Sequence, residues 1–187
     1  MQTGDIAALK AALSNGASAN AIGNYGCTVL MNAASVGNFE AVKLLVEHKA
    51  SVATQDLDGA TALHHACFAA STELVAFLLD NGADVNSLTY SKESCLMLAV
   101  MSNKPSCVKL LLERKADTTV RATGGEFRRH TALDLALQRE AGEISSMLQF
   151  AATAAPPPAP PAPSPAPRIA HTETNASASE RADDNAA

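Results

Sequence analysis

Tryptophan is absent from this chain of 187 residues, and only two tyrosines and five phenylalanines stand among its many alanines. So few aromatics disfavour a β-sandwich, whose strands depend on aromatic and β-branched side chains, and suit close helix-on-helix packing. Long apolar runs are missing too. The longest, residues 95–101, falls far short of the ~20 residues that span a bilayer. Basic clusters are equally scarce. The net charge is −5, and Arg128-Arg129-His130 is too small a knot for the cationic patch that phosphate binding needs. Neither a nucleic-acid nor a membrane partner is expected. Met1-Gln2-Thr3-Gly4-Asp5 has no positive n-region and no apolar h-region, so no secretory signal is read there. Four cysteines in such a chain are expected to be reduced thiols, which places the protein in the cytoplasm or nucleus. Proline is confined, with eight of nine between positions 156 and 167.

What the chain does have is a period. Asn24-Tyr25-Gly26-Cys27-Thr28-Val29-Leu30 returns 33 residues later as Leu57-Asp58-Gly59-Ala60-Thr61-Ala62-Leu63, and the frame passes on through Ser94-Cys95-Leu96. Ala33, Ala66 and Ala99 keep step, as do Leu45, Leu78 and Leu111. A fixed interval of this length marks stacked units that cannot bury their apolar faces alone. Such a stack offers an extended surface, which favours binding over catalysis.

The clearest unit spans residues 56–88. Asp58-Gly59 is a turn signal and Thr61 an N-cap, so a first helix is expected over residues 62–70. A second is expected over 73–81, with Leu74, Val75, Leu78 and Leu79 on one face. Gly82 then supplies the left-handed residue that ends it. Composition changes near Phe150: the remainder is mainly Ala and Pro, then polar, and cannot offset its ordering entropy. The proline stretch is expected to be extended and the end beyond His171 disordered.

Thr61-Ala62-Leu63-His64-His65-Ala66 resembles the Thr-Pro-Leu-His-x-Ala signature of the ankyrin repeat, and Asn81-Gly82-Ala83-Asp84-Val85-Asn86 resembles its helix-terminating consensus. The resemblance covers residues 4–149 and implies an all-α ankyrin-repeat solenoid with protruding hairpin turns, plus a disordered C-terminal tail. The units are read as a half repeat at 1–22, repeats at 23–55, 56–88 and 89–121, a modified terminal repeat at 122–150, and a tail at 151–187. The last carries about four extra residues near Gly124-Gly125-Glu126, since Thr131 stands 37 after Ser94. The first starts at its second helix, because Gly4 aligns with Gly37. If the chain is a fragment, the absent helix lies upstream of Met1.

Chemistry-bearing residues are read as structural. His64, His65 and Cys67 group as metal ligands do, but neighbours on a helix diverge and no second pair stands at zinc-site spacing. In ankyrin repeats the position of His64 bonds neighbouring turn backbone. Cys27, Cys67, Cys95 and Cys107 have no obvious basic partner. Asp134 replaces the repeat histidine and reads as an end-cap substitution. No catalytic, cofactor-binding or metal site is assigned. Asn86 resembles ankyrin asparagines that cytosolic hydroxylases modify, with bonding to turn backbone as its structural role. The PxxP spacings at 157–163 read as a stiff spacer before a ligand for an aromatic groove. Ser164-Pro165 is too common a dipeptide to assign, and the Asn175-Ala176-Ser177 sequon needs a secretory route.

The resemblance also implies where a partner docks: on the hairpin tips and the exposed side of each first helix. Tyr25, Leu57, Asp58, Phe68, Tyr90 and Met101 fall there, including both tyrosines of an aromatic-poor chain. The expected function is that of a non-catalytic interaction module or adaptor, monomeric, binding a protein partner through the concave ankyrin surface. The alternatives are a regulatory or inhibitory subunit of one enzyme, or a piece of a larger ankyrin-containing enzyme.

Overall fold

A computed structural model describes residues 3–125 and 127–154. Among them are α1 (Thr3–Ser14), α2 (Val29–Ser35), α3 (Phe39–Glu47), α4 (Ala62–Phe68), α5 (Thr72–Asp80), α6 (Cys95–Met101), α7 (Pro105–Glu113), α8 (Ala132–Gln138) and α9 (Gly142–Ala154). Among the described residues extended pairing is confined to isolated bridges at two tips, Ile22 with Thr28 and Leu88 with Ser94. The fold is all-α.

Helices of seven to nine residues, such as α2 and α3, are too short to stand alone, so packing must hold them. The packing forms two rows. First helices stack as α2, α4, α6 and α8; second helices stack as α1, α3, α5, α7 and α9. Each first helix also packs on the second helix that follows it. Leu30, Leu63 and Leu96, at the 33-residue interval, are buried between the rows. Burying one such leucine stabilises the fold by about 1.5–3 kcal/mol. Ala33, Ala66 and Ala99 are fully buried where first helices meet, and only a small side chain permits that approach.

Each first helix starts at a hydroxyl N-cap. Thr28 Oγ1 accepts from Met31 N (3.2 Å), Ser94 Oγ from Met97 N (3.3 Å) and Thr131 Oγ1 from Asp134 N (3.2 Å). At the remaining start, Thr61 N donates to His64 Nδ1 (3.1 Å) and Thr61 Oγ1 lies 3.0 Å from that nitrogen. The helices end in left-handed residues that also follow the repeat. Ala70, Asn103 and Glu140 close α4, α6 and α8, while Lys49, Gly82 and Lys115 close α3, α5 and α7.

Side chains tie one unit to the next. Asn20 Oδ1 accepts from Ser51 N (2.7 Å), and two units later Asn86 Oδ1 accepts from Asp117 N (2.8 Å). Asn86 therefore bonds turn backbone, the structural role read for it. Ser102 Oγ donates to Phe68 O (2.8 Å), and Arg139 Nη1 donates to Met101 O (3.3 Å) one unit on.

The two ends depart from the pattern. Among the described residues no first helix precedes α1, and Ile6 and Leu9 of α1 with Val29 and Ala33 of α2 line an apolar groove of about 440 Å³. At the other end the inserted residues fold Phe127 into the core, where it is 7% exposed. α9 continues to Ala154, past the compositional break read at 150. That break marks the loss of large apolar side chains, and alanine is itself the best helix former. The PxxP stretch, Ser164-Pro165, the sequon and the rest of the chain from residue 155 lie outside the described residues.

Candidate functional site

The hairpin tips are joined edge to edge by their backbones. Leu57 N donates to Tyr25 O (3.1 Å), Tyr90 N to Asp58 O (2.9 Å) and Thr123 N to Ser91 O (2.8 Å). The spacing is set by glycine. At Gly59, φ is +79° and an added Cβ would stand 2.8 Å from Tyr90 N, so a side chain there would force the tips apart. This contact seats the Tyr90 ring against the neighbouring tip.

Between the second and third tips lies a groove of about 530 Å³. Leu57, Asp58, Phe68 and Tyr90 line it, four of the six residues read from sequence as the binding surface. The large apolar side chains are exposed: Leu57 by 70%, Phe68 by 67% and Tyr90 by 68%. Tyr25, 80% exposed, sits one tip earlier and does not line this groove. Met101 departs from the exposed stripe expected for it. It is half-buried against the core and lines a separate hollow with Phe127, His130, Leu135 and Arg139. The cause is the insertion, which lays Phe127 beside it. Asp56, His65 and Leu98 also line the groove and were not read from sequence as part of the binding surface. His65 stands three residues before Phe68 on α4, so helical spacing was the available signal.

The arrangement is a stack of helix pairs with joined tips and an exposed apolar groove. Residues 1–89 match the family model for ankyrin repeats (3 copies), and residues 91–123 match that for an ankyrin repeat. The chain belongs to the ankyrin-repeat family. No curated protein matches it. Ankyrin repeats generally mediate protein–protein interaction and are typically non-catalytic.

Within this ankyrin domain the titratable groups have structural surroundings. Asp56 Oδ1 accepts from Asp58 N (3.0 Å) and Ala60 N (2.9 Å), while Oδ2 meets His65 Nε2 at 3.1 Å. Burial works against the Asp56 carboxylate, but the Ala60 amide, His65 and the Asp58 amide outweigh it and hold its pKa below the usual range. Cys27 Sγ lies 3.9 Å from Asp56 Oδ2, and burial followed by that carboxylate raises the thiol. His64 and Cys95 are a neighbouring pair that sequence reasoning missed. Burial favours neutral His64, yet Cys95 and the carbonyls of Glu93 and Ser87 raise it on balance. Burial likewise favours the Cys95 thiol, but Cys67 and His64 lower it on balance. His64 Nδ1 serves the Thr61 cap, while Nε2 is buried without a close hydrogen bond; of the neighbouring turn backbone, the Glu93 and Ser87 carbonyls act on the ring. Cys95 is fully buried, and a thiolate with no path to solvent cannot attack a substrate.

His64, His65 and Cys67, read from sequence as structural and not as a metal site, are not brought together as ligands: among the described residues the one ligand cluster is Cys27, Asp56 and His65. Asp134 takes over the capping role of the repeat histidine. Its Oδ2 accepts from Thr131 N (2.8 Å) and pairs with Arg121 Nη1 (3.3 Å). Bonding to the Thr131 amide is the main cause of its lowered pKa, against the opposing effect of burial.

Proposed function

We propose that this protein is a non-catalytic adaptor that binds a protein partner through the groove of Leu57, Asp58, Phe68 and Tyr90. One observation carries the reading: three large apolar side chains, each more than 60% exposed, gather at one groove in a chain with few aromatics. Aromatic side chains with few rotatable bonds give contact area at low entropic cost, and the stacked tips hold them in place before a partner arrives. Asp58 adds acidic character to the groove wall. The preferred partner segment is therefore an apolar or aromatic anchor flanked by Lys or Arg. The same acidic wall, with a net charge of −5, favours protein over nucleic acid.

We place the protein in the cytoplasm or nucleus, acting as a monomer; the four unpaired cysteines support the reducing location. None of the described helices is long and apolar enough to cross a membrane. The test is photo-crosslinking in cells. A photoreactive phenylalanine analogue replacing Phe68 is expected to trap one partner, and the same analogue at Lys43 or Lys109, exposed on the second helices, is expected to trap none. Equal trapping at all three positions would defeat the groove. An enzyme trapped at Phe68 and inhibited by the purified protein would favour the regulatory-subunit reading instead.

A further inference from the structure

The stack brings together three side chains that the sequence keeps apart. Cys27 belongs to the first tip, Asp56 to the base of the second, and His65 to α4. One donor atom from each lies within 4.8 Å of the other two. Asp56 Oδ2 is the hub, 3.1 Å from His65 Nε2 and 3.9 Å from Cys27 Sγ. We infer that Cys27, Asp56 and His65 form a binding site for a zinc-class divalent ion, which would staple the first tip to the unit behind it.

The spacing suits a tetrahedral ion. Zinc holds sulfur at about 2.3 Å and nitrogen or oxygen at about 2.0–2.2 Å, so its ligands stand about 3.4–3.6 Å from one another. The Asp56–His65 separation needs to open by a few tenths of an ångström, and the sulfur needs to close by up to about 1.2 Å. Cys27 is only half-buried and sits on a tip, where a side-chain rotation supplies that movement. The hub is already oriented: the amides of Asp58 and Ala60 hold Asp56 Oδ1 and leave Oδ2 for the ion. The Asp56 side chain is 6% exposed and that of His65 26%, so two ligands are shielded while a fourth position stays open to water.

The ligand chemistry narrows the ion. A thiolate with an imidazole selects Zn²⁺ or Co²⁺ over Mg²⁺ and Ca²⁺, which want oxygen donors only. Thiolate and carboxylate together neutralise a divalent charge. Binding releases the Cys27 thiol proton, and the proton that His65 Nε2 donates to Asp56 Oδ2 moves by exchange with water to Nδ1, leaving a neutral imidazole whose Nε2 turns to the metal. A nucleophilic triad does not fit the order: the carboxylate lies between thiol and imidazole, so the sulfur is partnered by Asp56 and not by the imidazole base a triad needs.

The experiment uses tag-free full-length protein, reduced and metal-stripped, titrated with Co²⁺ and then Zn²⁺. Expected are a one-to-one thiolate-to-cobalt charge-transfer band, its loss as Zn²⁺ displaces the cobalt, and a raised unfolding midpoint with Zn²⁺. Cys27→Ser is expected to abolish the band, and His65→Gln to weaken binding at least tenfold, with both variants keeping wild-type helical signal. Absence of cobalt binding below millimolar concentration overturns the proposal. So does a charge-transfer band that survives in Cys27→Ser, because it would place the ion on Cys67, Cys95 or Cys107.

Discussion

Lys49 and Lys115 end α3 and α7 at φ +66° and +62°, where Gly16 and Gly82 do the same work at +88°. An L-residue held there brings its Cβ against backbone, at about 1–2 kcal/mol. Glycine removes that strain but gives the unfolded chain more freedom, which returns about 0.5–1 kcal/mol. The turn itself should survive, since its bonds are backbone: Lys49 N to Val46 O and Lys115 N to Leu112 O, each 2.9 Å. Lys49→Gly and Lys115→Gly are each expected to stabilise by about 0.5–1 kcal/mol. The sites are two units apart, so the effects add. For a fold of this size, the double variant should raise the thermal midpoint by about 2–8 °C. Thermal and urea unfolding, followed by the helical signal, measure it, and Gly82→Lys should lose what the others gain. A lower midpoint for both glycine variants would refute the reasoning and show that the lysine stems cover apolar surface.

The inter-unit asparagine is missing once, at Ala53, between Asn20 and Asn86. Ala53→Asn should supply the bond to Asp84 N and stabilise by about 0.5–1.5 kcal/mol; an unchanged urea midpoint would count against it. Gly59→Ala should destabilise well beyond Gly82→Ala, because both are left-handed but only Gly59 has Tyr90 N 2.8 Å from an added Cβ. Equal losses would mean that the tips yield freely. Asp134 has a lowered pKa, so its contribution is present above the unfolded value near 3.8 and is lost as pH falls through the lower folded value. Asp134→Asn should therefore flatten the fall in thermal midpoint below about pH 4, and parallel pH profiles would remove Asp134 from that role.

Much of the stack was legible because its signals are local and repeat. Thr28, Ser94 and Thr131 mark helix starts through bonds three residues on, and the leucine interval marks the buried faces. Helix ends were less legible. α4 stops at Phe68, short of the expected residue 70, because Ala70 adopts φ +57° where a glycine would have announced the turn. Of the surface, the exposure of Leu57, Phe68 and Tyr90 was legible because the repeat places them on tips and first-helix faces. Contacts across units were not: Cys27 with Asp56 and His65, and Cys95 with His64, depend on how neighbouring units seat against each other. Phe127 was hidden for a related reason. An insertion breaks the interval, and its buried or exposed fate rests on where the loop lands.

The most direct measurement is the affinity of the photo-trapped partner for purified full-length protein, wild type against the Phe68→Ala/Tyr90→Ala variant. The groove as docking surface requires each single substitution to weaken binding at least tenfold, about 1.4 kcal/mol, with little change in unfolding midpoint. Lys43→Ala and Lys109→Ala should leave affinity intact. A folded double variant that binds the partner as tightly as wild type would contradict the groove and turn attention to the loop at 124–130.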